Sequence, residues 1–258
     1  MKLRLLPSTF EGDGSASNKQ HFSSFVIDDL VALDAGSLAN AVTSEEGSQI
    51  RDVVLTHAHL DHIAGLPLFI DDLFPVLREP VRVHATLEVI DVLERHVFNW
   101  SVYPRFSELT NSYGKVIVYH EIEHEREFEI GHLKFLSVAV NHRVPSSGFV
   151  VRDDNSTVAI TGDTAEMDRF WDVVNSLEHL DALLIECAFP NEFDELSTIA
   201  HHLTPAKLKR ELEKLMHLEC VCYVINVKPA YREAVCDELA ELNNARLKVL
   251  EVGREYIL

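Results

Sequence analysis

Short apolar runs, broken by charged or turn residues, set the rhythm of the chain. Phe25-Val26-Ile27 and Leu30-Val31-Ala32-Leu33 flank Asp28-Asp29 and predict a β-hairpin. Met1 to Pro7 reads as a strand before them, too short and too soon interrupted for a signal peptide. Val53 to Thr56, Val81 to His84, Lys115 to His120 and Phe128 to Val140 predict further strands. Ile63 to Leu77 and Thr86 to Phe98 carry apolar residues at helical spacing.

The second half repeats the rhythm. Gly148 to Arg152 and Thr157 to Thr161 predict a hairpin around Asp153-Asp154-Asn155. A helix follows near Met167 to Leu177, then a strand at Ala182 to Ile185. Thr204 before Pro205 predicts an N-cap and a helix to about His217. Val221 to Ile225 predicts a strand, Ala230 to Leu242 a helix, and Leu247 to Val252 a last strand. In each half strands lead and helices follow. That order predicts an α/β protein with two mixed sheets face to face and helices outside.

Composition narrows the picture. No Pro-, Gly- or Ser-rich linker divides the 258 residues, so residues 1–258 are read as one domain. No apolar stretch reaches the ~18 residues of a membrane span. Cys187, Cys220, Cys222 and Cys236 lack framework spacing and are read as reduced, in a cytoplasmic protein. A formal net charge of −19 argues against a nucleic-acid partner, because phosphate backbones call for Lys and Arg. A small anionic substrate stays compatible, since bound cations reverse the local field.

The densest chemistry lies in "THAHLDHIAG", where His57, His59, Asp61 and His62 follow the run Val53-Val54-Leu55. Imidazole and carboxylate suit divalent metals such as zinc. Histidine occurs 14 times, so density alone proves little; the order and ligand types carry the reading. Further ligands are sought at the ends of apolar strands. Asn141-His142 ends one, and Thr161-Gly162-Asp163 ends another.

His57-x-His59-x-Asp61-His62 with His142 and Asp163 resembles the metallo-β-lactamase fold hydrolases. Together with "VNHRVPSSGFVV", "TGDT", "LIECAFPNE", "HLTP" and "VKPAYRE", it is similar to class II cyclic nucleotide phosphodiesterases. The resemblance implies a four-layer αββα sandwich with a dinuclear metal site between its sheets. It implies that His57, His59 and His142 hold one ion, Asp61 and His62 the second, and that Asp163 bridges them. Zinc is the expected ion, with manganese or iron as alternatives. The implied reaction opens the 3′,5′-cyclic phosphate of cAMP or cGMP, using a hydroxide shared by the ions. Glu186 would orient His202, and His202 would protonate the leaving ribose oxygen; Asp61 joins them as a catalytic carboxylate. Ser146 and Ser147 are candidate phosphate contacts or simply a turn.

The chain departs from the pattern at Asn226, where a histidine is expected two residues before Lys228-Pro229. The second metal site is therefore expected to be weak, with Asn226 as a substitute ligand. Two rival readings stand beside the phosphodiesterase: a tRNA 3′-processing endonuclease, and a non-enzymatic nucleotide- or metal-binding regulator. Self-association is not legible, and a homodimer stays open.

Overall fold

The computed structural model describes residues 1–258. Two seven-stranded sheets form its centre. The first runs Glu255–Ile257, Lys2–Leu5, Phe25–Ile27, Val31–Leu33, Asp52–Val54, Val81–Ala85, Ile117–Glu121. The second runs Leu247–Val249, Val221–Ile225, Ala182–Glu186, Thr157–Ile160, Ser147–Arg152, Leu133–Ala139, Glu127–Ile130.

Three apolar clusters divide the molecule into four layers. Leu3, Phe25, Leu33 and Val54 of the first sheet meet Phe135, Phe149, Ile160 and Leu184 of the second. Their strand neighbours Val26, Ala32 and Val53 face the other way, onto Leu66, Phe69 and Leu93 of the first helical layer. Val150, Ala159, Leu183 and Val224 face Phe170, Trp171 and Leu208 of the second helical layer. Both faces of the central strands are buried, so these strands read as unbroken apolar runs and not as alternation. Burying each large apolar side chain is worth roughly 1.5–3 kcal/mol.

The structure moves several predicted boundaries. Phe128 to Val140 is two strands, turning at Gly131 with φ of 60°. Ile63 to Leu77 is not one helix. A short turn, Leu60–Ile63, precedes the helix Leu66–Leu73. The break falls at Gly65, where a Cβ would lie 2.6 Å from the Ala35 carbonyl oxygen. The helix expected from Thr86 ends in a π-helical turn over Leu93–Val97. Thr204 does cap Pro205–Leu212, but that helix stops short of His217. Leu247 to Val252 is not the last strand: Leu247–Val249 ends early, and Glu255–Ile257 crosses to the first sheet.

One polar cluster of the first sheet went unread. Asp52 accepts hydrogen bonds from Arg82 Nε at 2.7 Å, Arg82 Nη2 at 2.6 Å and His84 Nε2 at 2.8 Å. Burial alone would raise its pKa; the guanidinium and imidazole overcome that and lower it from 3.8 to about 2. The ionised pair thus adds stability above the usual carboxylate range, lost as pH falls toward 2. Wild type should therefore lose its stability advantage over Asp52→Asn between about pH 4 and pH 2. Thermal unfolding of both proteins across that range checks this; a gap that does not narrow refutes it.

Candidate active site

The metal-type loop leaves the strand Asp52–Val54 and is held from below by Asp34. Asp34 stands at φ of 59° and is buried. Its Oδ1 accepts from the Thr56 amide at 2.8 Å, and its Oδ2 pairs with His62 Nδ1 at 2.6 Å. The loop also runs hard against Gly36, where a Cβ would lie 1.9 Å from the Asp61 carbonyl oxygen. Only glycine permits that approach. These anchors turn His62 Nε2 toward Asp163, 3.3 Å from its Oδ1.

The ligand-type residues converge from distant strands. His142 Nε2 lies 3.2 Å from His59 Nδ1, and its Nδ1 faces the His201 carbonyl oxygen at 3.0 Å. Asp163 follows Gly162, whose φ of 61° turns the chain at the strand end. Ring nitrogens of His57, His59 and His142 lie within 4.8 Å of one another, and so do the donor atoms of His57, His62 and Asp163. Burial and the neighbouring His62 keep His57 well below the usual imidazole pKa. Burial lowers His142 to about 4. Neutral imidazoles are the form that binds metal. Burial opposes charge on His62, yet Asp163 and Asp34 raise its pKa well above the usual value. Asp163 is buried too, but His62 holds its carboxyl well below the usual range.

His57 Nε2 and His62 Nε2 are buried without a hydrogen-bond partner. An orphaned buried polar atom costs roughly 1–3 kcal/mol. Both nitrogens face Asp163, and a divalent cation among them would satisfy both. The imidazole and carboxylate donor set suits zinc, manganese or iron. The donors of His57, His59 and His142 thus form one set whose chemistry fits a divalent ion, and those of His57, His62 and Asp163 a second.

The second half of the site is different. Asn226 donates from Nδ2 to Asp163 Oδ1 at 2.6 Å, so its hydrogens face the carboxylate. It also stands at φ of 55°, a backbone region that asparagine tolerates. Lys228 Nζ lies 3.1 Å from Asp61 Oδ2. Burial would lower the Lys228 pKa, but Asp163 and Asp61 raise it. The Lys-Pro pair was visible in the sequence; its partner, 167 residues away, was not.

Beside this cluster, His202 Nδ1 pairs with Glu186 Oε1 at 2.6 Å. Glu186 ends its strand fully buried, and also accepts the amides of Thr164 at 2.9 Å, Ala188 at 3.1 Å and Leu203 at 3.2 Å. The donors leave it no freedom to turn. Burial disfavours charge on His202, but the Glu186 carboxylate raises its pKa above the usual value. Phe189 packs 5.6 Å from the His202 ring, centroid to centroid. Its neighbour His201 points elsewhere, Nδ1 to Asn141 Oδ1 at 3.0 Å.

Of the two serines, Ser146 has its hydroxyl engaged in a turn, and Ser147 its amide in a bond between the sheets. Ser146 Oγ donates to the Val144 carbonyl at 2.9 Å, and the Ser147 amide donates to the Thr56 carbonyl at 2.9 Å. The first closes a turn and the second ties the sheets together. The Ser147 hydroxyl is buried without a partner.

Residues 26–219 match the model of the β-lactamase superfamily domain. The chain belongs to the β-lactamase superfamily. Among its relatives, a probable 3′,5′-cyclic-nucleotide phosphodiesterase of Yersinia pestis is 25% identical, covering 97% of this chain and 76% of that protein. The 3′,5′-cyclic-nucleotide phosphodiesterase 1 of Saccharomyces cerevisiae is 26% identical, covering 67% of this chain and 53% of that one. The crystal structure of unliganded yeast PDE1 superposes with a TM-score of 0.79 at 17% identity, covering 100% and 99% of the two chains. The superfamily's αββα sandwich, expected from the sequence motifs, is the fold seen here.

Proposed function

We propose that the chain is a metal-dependent phosphodiesterase that hydrolyses 3′,5′-cyclic nucleotides to 5′-monophosphates. The observation that carries this is the Glu186–His202 pair at 2.6 Å, set beside the His57, His142 and Asp163 donors. The names of the curated relatives support it. Bound divalent cations would polarise phosphoryl oxygens and lower the pKa of water. His57, His59 and His142 would hold one such ion, with Asp163 shared toward the half-site of Asp61 and His62.

In the reaction a water oxygen bonds to phosphorus, releasing one proton to solvent, and the P–O3′ bond breaks. Glu186 holds Nδ1 of His202, which leaves Nε2 to deliver a proton to O3′. Lys228 places its ammonium at the same mouth, next to Asp61, where it can meet a phosphate oxygen. With no helix long and apolar enough to cross a membrane and all four cysteines unpaired, a cytoplasmic setting fits this reading. The chain-wide superposition supports one hydrolase domain.

A tRNA-processing activity is disfavoured by the net charge of −19. The deciding assay is a hydrolysis screen with added Zn²⁺, Mn²⁺ or Fe²⁺ over cAMP, cGMP, bis(p-nitrophenyl) phosphate and a pre-tRNA. Turnover of cyclic nucleotides supports the proposal. Cleavage of the pre-tRNA alone, or nucleotide binding without turnover, overturns it.

Asn226 sets a further expectation. With its amide hydrogens on Asp163, it offers that half-site no imidazole, so one ion should bind firmly and the second loosely. Asn226→His should tighten the second zinc by about tenfold, about 1.4 kcal/mol. Zinc titration of both proteins decides it; two equally tight zincs in wild type refute it.

A further inference from the structure

We propose that an apolar cavity beside the metal-type loop is the subsite for the nucleobase, holding its flat faces and leaving its edges unread. The proposal rests on the phosphodiesterase reading above and specifies which part of the substrate this chain grips.

The cavity has a volume of about 560 Å³. Ligand pockets typically span ~300–1,000 Å³. Its wall is apolar apart from His96 and Tyr103. A smaller hollow of about 210 Å³ adjoins it, sharing Ala58 and Val92. That hollow includes His59 itself, and Pro145 from the loop after His142. A mainly apolar path, with Glu88 the one carboxylate along it, therefore runs from a metal-type histidine outward to Tyr103. A group attached to a phosphate at the His59 end would lie along it.

Several independent features converge on this wall. Leu60 is 71% exposed and Val102 66%, with Leu68 also exposed. Folded chains rarely leave so many large apolar side chains together without a use for them. The far wall is built by the π-helical turn Leu93–Val97, and such turns recur at functional sites. The loop that follows holds Trp100 at φ of 68°, a backbone region costly for a bulky residue.

The chemistry of the wall sets what it can recognise. The Tyr103 hydroxyl already donates to Asp71 Oδ2 at 3.1 Å, so His96 is the one other polar side chain of the main cavity. No fork of donors and acceptors faces inward to tell adenine from guanine. A site of this kind gains from packing the faces of an aromatic ring and gains little from its substituents.

The test compares cAMP, cGMP and ribose 3′,5′-cyclic phosphate, which lacks a base, on wild type, Val92→Asp and Val102→Asp. Binding of the neutral probe N-phenyl-1-naphthylamine is followed in parallel by fluorescence. Wild type should show kcat/KM for cAMP and cGMP within about tenfold, both roughly tenfold or more above the base-free compound. Each variant should raise KM for both nucleotides and collapse their advantage over the base-free compound, with loss of probe binding. Val102 is exposed, so its variant keeps the experiment interpretable if Val92→Asp fails to fold.

An unchanged KM for cAMP in a folded Val102→Asp overturns the subsite, and so does strong discrimination between the two bases. A wild-type dimer that Val102→Asp splits, with KM unchanged, makes the face a subunit contact and also overturns it. If no cyclic nucleotide is hydrolysed but the probe binds wild type and neither variant, the catalytic reading falls. The aromatic site then stands on its own.

Discussion

Asp163→Ala should be folded and essentially inactive toward cyclic nucleotides. Asp163 is buried where His57, His62 and Asn226 converge, and its two oxygens face different partners. Removing it strips His62 Nε2 and the Asn226 amide of their shared carboxylate and removes the negative charge that balances incoming cations. The loss in kcat should exceed the roughly 10–100-fold typical of groups that only orient a ligand. Metal content, measured on the same preparation by mass spectrometry, should fall with it. Asp163→Asn keeps the shape and loses the charge, so it should show the same defect with less disturbance of folding. Near-wild-type kcat with full metal content in either protein would remove Asp163 from the centre of the mechanism.

His202→Ala is the second large effect, and of a different kind. It should lower kcat on cAMP by roughly 10²–10⁴, the range of general acid catalysis, while metal content stays the same. The defect should shrink on bis(p-nitrophenyl) phosphate, because p-nitrophenolate leaves without a proton. Glu186→Gln should reproduce part of it, since the amide cannot stabilise a protonated His202 as the carboxylate does. An equal loss on both substrates argues against the acid role. Loss of metal would make His202 a ligand, which its distance to the His142 and Asp163 donors allows.

The sequence disclosed the site unevenly, for physical reasons. His57, His59, Asp61 and His62 were legible because one loop carries them all, and their residue types have few other uses so close together. His142 and Asp163 were legible as polar residues ending apolar strands. Glu186 and His202 owed their pairing to resemblance; nothing in their local sequence says that they meet. Lys228 on Asp61 depends on long-range packing, which no local pattern encodes.

For the fold, strands were read well because apolar runs buried on both faces leave a continuous signal. Helix limits were read less well. Gly65 breaks one helix because the Ala35 backbone lies against it, a tertiary cause invisible to periodicity. Glu255–Ile257 was missed because it is short, exposed on alternate residues and paired with a strand from the opposite end of the numbering.

That last pairing has a kinetic consequence. Residues 255–257 bond to residues 2–4 and form the outer edge of the first sheet. During synthesis the strand Lys2–Leu5 must wait, with one edge uncovered, while the whole second sheet is made. Contacts so distant along the chain slow folding, because loop closure is paid before the contact forms. An open strand edge is also the surface through which nascent chains associate wrongly. The chain's dense negative charge, dispersed and not gathered in a tail, then keeps unfinished molecules apart until the final strand arrives.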